Sequence, residues 1–417
     1  MRKKSIVATT PSTIVWENLE QFARLKIQEF LQNVLEEEVT ELLGRKKYER
    51  SGPVDSEGQR NGYGKPRKLT MTIGTVKVKR PRVRGLEERF ESRILPLFAT
   101  RTKDVGELLP ELYLHGLSSG DFDLALRGLL GEDAPLSPQT INRLKEKWQA
   151  EKVLWDQRSL EELQPVYVWV DGIYVKAGLE KEKACVFVAL AALRDGTKVV
   201  ISLTPGHRES KESWASFLRN LKQRGMKTPR LIIGDGNLGI WSAVSEIFPG
   251  ADEQRCWNHR IVNAVDKITK KLQPTGRELI KKIPYAETLK KAEELKREFQ
   301  KWCIKHEQHA AAKVLDVDWD RMITFYNFPK EHWVHLRTSN VVESPFATLR
   351  LRTDAARRYK KVDNATAVMW KMLLVVEKRF NKLHAAEKME EVFQKVKYQD
   401  GNKVNETKQE QKMRKAA

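Results

Sequence analysis

The sequence predicts an α/β chain: a mixed sheet with flanking helices, interrupted by an all-helical stretch and preceded by a mainly helical region with one β-hairpin. Three observations predict it. Short apolar runs rich in β-branched residues crowd residues 165–204. From about residue 210, strand-like runs alternate with helix-period segments. Residues 271–336 are then Lys- and Glu-rich, helical in pattern, and without a strand signal.

The size and charge of the chain narrow its class. At 417 residues it is long enough for two or three domains. Its 76 Lys and Arg against 56 Asp and Glu leave a formal charge of +20. That excess favours a polyanionic partner, nucleic acid first and an anionic membrane surface second. The membrane reading is weak, because no apolar stretch approaches the roughly eighteen residues a span needs. The N-terminus carries only a very short apolar run before Pro11 and is not read as a secretory signal. Cys185, Cys256 and Cys303 are few and widely spaced, so no disulfide framework is expected and the chain reads as cytosolic and reduced.

Taken in order, residues 13–44 predict a helix, with Leu19, Phe22, Ile27, Phe30, Leu31 and Val34 at helical spacing. Residues 51–64 are polar and Gly-rich and read as a loop. Leu69 to Lys79 alternates with period two around Gly74, which predicts a β-hairpin. From Lys65 to Arg84 there are eight basic residues and no acidic one: Lys65, Arg67, Lys68, Lys77, Lys79, Arg80, Arg82 and Arg84. This run is the first candidate for phosphate contact. Helices are expected at 108–114 and 122–130. After a turn at 131–135, Ser137 suits an N-cap and Pro138 a first helical turn. That pair resembles a helix-turn-helix, with Arg143 on its polar face, although ordinary helix packing gives the same pattern.

Strands are expected at 166–170, 184–192, 198–204, 230–234 and 253–256, with helices near 210–224, 239–247 and from 258. Beyond 395 the chain is polar and expected to fray. The patterns divide the chain at 1–64, 65–101, 102–160, 161–270, 271–336, 337–384 and 385–417.

Three acids stand in conspicuous settings. Asp171 ends the run Pro165–Val170, Asp235 ends Leu231–Gly234, and each precedes a glycine. A carboxylate at a strand's C-terminal end sits at the sheet edge, where α/β folds bind ligands. Two such groups side by side repel unless a cation lies between them, and oxygen ligands favour Mg²⁺ or Mn²⁺ over zinc. Alone, each Asp-Gly also fits a simple turn. Glu343 falls near the start of a helix expected to run to about Arg352, with Pro345 limiting where that helix begins. Past it come Arg350, Arg352, Arg357 and Arg358, suited to neutralising phosphates.

Cys256 and His259 lie three apart. They read either as a packed pair beside the acids or as half of a zinc site completed from Cys303, His306 and His309. Of the aromatic residues Trp241, Trp257, Phe325, Tyr326, Phe328 and Trp333, most are expected in the core. Trp333 is the candidate for stacking an unpaired base.

These motifs, in this order, resemble the bacterial insertion-sequence transposases related to the Mutator elements. The resemblance runs from about Leu19 to Phe380. Val170-Asp171-Gly-Ile-Tyr-Val-Lys176, Gly206-His-Arg-Glu-Ser210, Gly234-Asp235-Gly-Asn-Leu-Gly239, Gln254-Arg-Cys256-Trp-Asn-His259 and Arg337-Thr-Ser-Asn-Val-Val-Glu343 carry it. Asp171 and Asp235 are 64 residues apart, and Glu343 follows 108 later, leaving room for a helical insertion. The resemblance implies an RNase H-like catalytic core with Asp171, Asp235 and Glu343 holding two Mg²⁺ ions, for which Mn²⁺ substitutes. It implies hydrolysis at element ends, then attack by the freed 3′-OH. It also implies a homodimer bridging two ends, an N-terminal region that reads terminal inverted repeats, and a cytoplasmic, nucleoid-associated bacterial protein. Where the family more often has a hydroxyl residue, this chain has Pro345. A non-catalytic DNA-binding relic and a nuclease without strand transfer remain the alternatives.

Overall fold

The computed structural model describes residues 16–49, 58–117, 138–178, 183–206, 210–236, 239–356 and 358–404. The chain forms two compact units, residues 1–144 and 145–417. The expected helix at 122–130, the turn at 131–135, Ser137 and Arg357 lie outside the described residues.

In the first unit, helix α1 (Leu19–Leu43) ends at Gly44, whose φ of 66° is the left-handed conformation that glycine adopts without a Cβ penalty. Four strands follow: β1 (Gln59–Tyr63), β2 (Arg67–Met71), β3 (Gly74–Val78) and β4 (Pro81–Arg84). β2 and β3 form the expected hairpin, with Leu69 opposite Val76. Leu35, Leu69, Val76, Val78 and Leu95 make a small core, with Leu31 packed against it. α1 also lies along the free edge of β3. The Gln32 side-chain amide accepts from Lys79 N–H at 2.9 Å and donates to Lys79 C=O at 2.9 Å, replacing a neighbouring strand. Residues 59–63, expected as loop, instead pair antiparallel with β4. Their side chains are mostly exposed, so no apolar alternation marked the strand. Helix α2 (Lys103–Leu114) follows the strands.

Helix α3 (Pro138–Gln157) runs across the boundary at 144, and the second unit holds a five-stranded sheet. The strands are β5 (Pro165–Val175), β6 (Ala184–Leu193), β7 (Lys198–Gly206), β8 (Leu231–Gly234) and β9 (Asp252–Arg255), in spatial order β7-β6-β5-β8-β9. β5, β6 and β7 form an antiparallel meander, while β8 and β9 run parallel to β5. Helices α4 (Lys211–Gln223), α5 (Ile240–Ile247) and α6 (Trp257–Val265) alternate with the later strands. Val168 and Val170 join Trp214, Leu218, Ile240 and Val244 in one core. Alternation along β5 then turns Tyr167, Trp169 and Asp171 to the opposite face. There Tyr167 Oη meets His332 Nδ1 at 2.8 Å, and the Trp169 indole donates to His335 C=O at 3.0 Å.

Residues 271–336 are helical without a strand: α7 (Gln273–Lys282), α8 (Leu289–Lys305), α9 (His309–Val314), α10 (Trp319–Ile323), α11 (Trp333–Leu336) and short 3₁₀ turns. α12 (Asn340–Ala355) and α13 (Val362–Glu377) follow. The expected fraying beyond 395 is corrected for residues 396–404, while 405–417 lie outside the described residues. β10 (Tyr398–Gln399) pairs with β11 (Asn402–Lys403), Asp400 accepts from Leu289 N–H at 2.7 Å, and Gly401 N–H donates to Tyr326 C=O at 3.1 Å. These bonds hold a polar segment that composition alone leaves free. No helix among the described residues is long and apolar enough to cross a membrane.

His332 is fully buried, and its Nε2 lies 3.1 Å from Ala385 C=O while Nδ1 meets Tyr167. Replacing it with Ala leaves the buried Tyr167 hydroxyl unpaired as well as opening space. His332→Ala is therefore expected to cost about 3 kcal/mol, read from urea unfolding. A change within about 0.5 kcal/mol would contradict this account of the packing.

Candidate functional site

The site forms where the parallel half of the sheet ends. Pairing of β5 with β8 runs from Tyr167↔Leu231 to Trp169↔Ile233 and then stops. Continued by two residues, that register sets Asp235 abreast of Asp171. Asp171 does not end its strand, as the sequence suggested. β5 runs on to Val175, paired with β6, and Gly172 is a strand residue opposite Phe187. What ends is β8, and its departure opens the β5 edge beside Asp171. Gly172 N–H, freed there, donates to Asp171 Oδ1 at 2.8 Å. The turn belongs to Gly236, at φ 81°, where an added Cβ would fall 2.4 Å from Arg255 Nε.

β9 ends beside β8, and Cys256 N–H donates to Gly234 C=O at 2.8 Å. Cys256 begins α6, so His259 lies in its first turn. α12 brings in the third acid. It starts at Asn340 and passes through Pro345, so the proline does not set its beginning. The missing amide costs one helical bond, and burial of Val342, Pro345, Phe346 and Leu349 holds the helix. Ser339, its N-cap, makes no capping bond with its side chain. Instead its hydroxyl donates to Glu343 Oε1, and its N–H donates to Cys256 Sγ at 3.2 Å. Trp257 N–H donates to Arg337 C=O at 2.9 Å, a second tie between α6 and the approach to α12. Sequence reading missed Ser339. Its signal was a cap-type residue one turn before an acid.

Asp171 is 8% exposed, and its carboxyl is pushed up to about 7. Burial is the main cause, followed by the nearby charge of Asp235 and then of Glu343. The three acids therefore share one electrostatic neighbourhood, although their oxygens do not all lie within 4.8 Å of one another. Cys256 beside it, and the carboxylates of Glu343 and Asp235, push the His259 imidazole up to about 9 against its burial. Its Nδ1 lies 3.8 Å from Glu343 Oε1, an ion-pair separation too long for a hydrogen bond. A partly buried, mutually repelling set of oxygen donors with one imidazole as counter-charge fits hard divalent cations.

The zinc half-site is corrected. Cys256 and His259 meet Glu343, not Cys303, His306 or His309. His306 Nδ1 instead lies 2.8 Å from Trp302 C=O. Trp333 is corrected too. It is 3% exposed, its indole donates to Phe328 C=O at 2.9 Å, and Phe325 and Tyr326 meet it edge-on, so no base reaches it. Trp241, Trp257, Phe325, Tyr326 and Phe328 are also buried.

Among the arginines, Arg350 and Arg358 are exposed, and Arg358 donates to Gly178 C=O at 2.8 Å. Arg352 is 2% exposed and faces the core, so it presents no charge to a phosphate. It continues the buried stripe Val342, Phe346, Leu349, a period visible in the sequence.

In the first unit, Lys65, Lys68, Lys77, Lys79, Arg82 and Arg84 are exposed, as is Arg143 on α3. Arg67 donates to Pro96 and Ala99 carbonyls, and Arg80 to Phe90 C=O, so both also brace the following loop. A cavity of about 340 Å³ has Lys65, Arg67, Arg80, Arg82 and Arg89 in its wall and no carboxylate.

Comparison with known proteins settles the family. The model for "Transposase, Mutator family" matches residues 3–385. The chain belongs to the Mutator family of transposases. It is 45% identical over 278 residues to the transposase for insertion sequence element IS6120 of Mycolicibacterium smegmatis, covering 64% of this chain and 85% of the relative. It is 35% identical over 285 residues to the transposase for IST2 of Acidithiobacillus ferrooxidans, covering 68% and 96%. The transposase for IS256 in transposon Tn4001 of Staphylococcus aureus is 29% identical over 253 residues, covering 60% and 63%.

The shifted groups set a pH dependence for the metal-free protein. Asp171 rises from 3.8 to about 7, so across that window the unfolded chain loses a proton that the native state keeps. His259 rises from 6.5 to about 9, so the native state again holds the extra proton. Both contributions are present at low pH and are lost as pH rises through the native value. The melting temperature in EDTA is expected to fall between about pH 4 and 9, and Asp171→Asn should remove the lower part of the fall. Thermal melts followed by circular dichroism check this, and an identical profile in the variant would contradict it.

Proposed function

We propose that this enzyme acts on DNA, binding the terminal inverted repeats of an insertion sequence and catalysing strand cleavage and strand transfer. The observation that carries this reading is the shared electrostatic neighbourhood of three acids from distant parts of the chain, Asp171, Asp235 and Glu343. Family membership supports it. So does the strand order, an antiparallel meander followed by two parallel strands with acids at the opening, which fits an RNase H-like core.

In this reading Asp171, Asp235 and Glu343 hold two Mg²⁺ ions, with Mn²⁺ able to substitute. The bound ions would activate the attacking oxygen and stabilise the leaving one. Asp171 supplies a carboxylate fixed by Gly172 N–H. Ser339 orients Glu343 through its hydroxyl. His259 balances charge beside Glu343. In the first reaction water forms a bond to phosphorus, and the bond to the 3′ oxygen breaks and leaves a 3′-OH. In the second, that 3′-OH attacks another phosphodiester and displaces its 3′ oxygen. Arg350 and Arg358 neutralise phosphates near the site. Lys65, Lys68, Lys77, Lys79, Arg82 and Arg84 contact duplex backbone, with a homodimer bridging two ends.

Purified protein is incubated with a labelled duplex carrying the element's terminal repeat, in Mg²⁺ or EDTA. Mg²⁺-dependent nicking at the repeat boundary and joined products are expected. Alanine at Asp171, Asp235 or Glu343 should abolish both while sparing binding, and retained strand transfer by Asp235→Ala would sink the assignment. Separately, Lys68→Ala and Lys79→Ala are each expected to lower the slope of log affinity against log salt by about 1. Unchanged slopes would remove the hairpin from the interface.

A further inference from the structure

We propose that Cys256, His259 and Glu343 form a second, thiophilic metal site that takes one Zn²⁺-class ion and, by capturing Glu343, blocks the Mg²⁺ site. The inhibition rests on the reading of Glu343 above; the metal site itself does not.

The donor atoms of these three residues all lie within 4.8 Å of one another, and among the described residues no other group of three His, Cys, Asp or Glu does so. Zinc takes sulfur at about 2.3 Å and nitrogen or oxygen at about 2.0–2.2 Å, so tetrahedral ligands stand roughly 3.3–3.8 Å apart. The 3.8 Å between His259 Nδ1 and Glu343 Oε1 is too long for a hydrogen bond and a few tenths of an ångström wider than the roughly 3.3–3.6 Å of a nitrogen–oxygen ligand pair on zinc, so an ion would draw the two slightly together. That Nδ1 has no hydrogen-bond partner. Cys256 is fully buried, and its sulfur accepts the Ser339 N–H at 3.2 Å, the kind of outer contact that steadies a metal-bound thiolate. The scaffold is rigid on both sides. Cys256 is tied to Gly234 at 2.8 Å, and Trp257 to Arg337 at 2.9 Å. Three protein ligands leave a fourth position for water.

The two sites differ in chemistry. Asp171 and Asp235 offer hard oxygens, which Mg²⁺ requires, and Mg²⁺ has little use for a thiolate. A soft ion prefers the sulfur and imidazole. Glu343 serves either, so the ions compete through one carboxylate.

The test titrates Co²⁺, a spectroscopic stand-in for Zn²⁺, into the metal-free full chain without DNA. One equivalent is expected to produce a thiolate-to-Co²⁺ charge-transfer band, displaced by Zn²⁺. Cys256→Ser should abolish the band, Cys303→Ala should keep it, and Asp235→Asn should keep it. Should Cys256→Ser fail to fold by circular dichroism, His259→Gln is read instead, with Co²⁺ affinity expected to fall at least tenfold. A wild-type chain with no band, or a band untouched by Cys256→Ser or by His259→Gln, overturns the site. Zn²⁺ should also inhibit Mg²⁺-dependent cleavage, with relief as Mg²⁺ rises. Inhibition that no Mg²⁺ concentration relieves overturns the sharing of Glu343. If the wild type cleaves nothing in Mg²⁺, the functional reading fails, while the Co²⁺ band still decides the metal site.

Discussion

The structure of the second unit turns on one short pairing, the parallel contact of β5 with β8 that ends at Trp169 and Ile233. Because β8 stops while β5 continues, one edge of β5 loses its partner beside Asp171. The opening takes the freed Gly172 amide, the Asp235 carboxylate and the end of β9. The placing of Asp171 and Asp235 abreast at one edge follows from that termination. A β8 two residues longer would pair the edge and bury it.

A second constraint brings the distant acid home. Glu343 lies 108 residues beyond Asp235. Its helix is fixed at the start by backbone bonds from Trp257 to Arg337 and from Ser339 to the Cys256 sulfur. Cys256 is in turn bonded to Gly234, one residue before Asp235. One buried cysteine thus touches the backbone leading to both acids. The Cys-x-x-His pattern therefore makes sense without any zinc finger: the cysteine ties two chain segments, and the histidine meets the carboxylates.

The burial of like charges has a cost that the fold carries. Asp171 is held largely out of water near two other acids, which pushes its carboxyl up to about 7. Such a cluster resists folding above that pH unless positive charge arrives. His259 supplies part of it, raised to about 9 by its surroundings. The rest of the repulsion stays uncompensated in the metal-free chain, and a bound cation would relieve it.

Local pattern made much of this legible. Val166–Val170, Cys185–Ala192 and Leu231–Ile233 read as strands because both faces are buried and apolar runs survive intact. The three acids, Cys256 and His259 were visible as residues in distinctive local settings. Pairing and burial were not, because they depend on contacts far apart in sequence. The strand at Gln59–Tyr63 exists through its partner β4 and has no apolar alternation of its own. The segment at 398–403 is ordered by bonds to Leu289, Tyr326 and Lys330. Arg350 and Arg352 look alike in a basic run, yet a two-residue step turns about 200° around a helix and sends one to solvent and the other inward. Trp333 looked available for stacking until Phe325 and Tyr326 closed around it. Sequence alone determined which residues are the candidates for chemistry, since residue type and local period are written in the chain. Tertiary structure decided which of them meet and which face water, because those outcomes are set by neighbours that no local window contains.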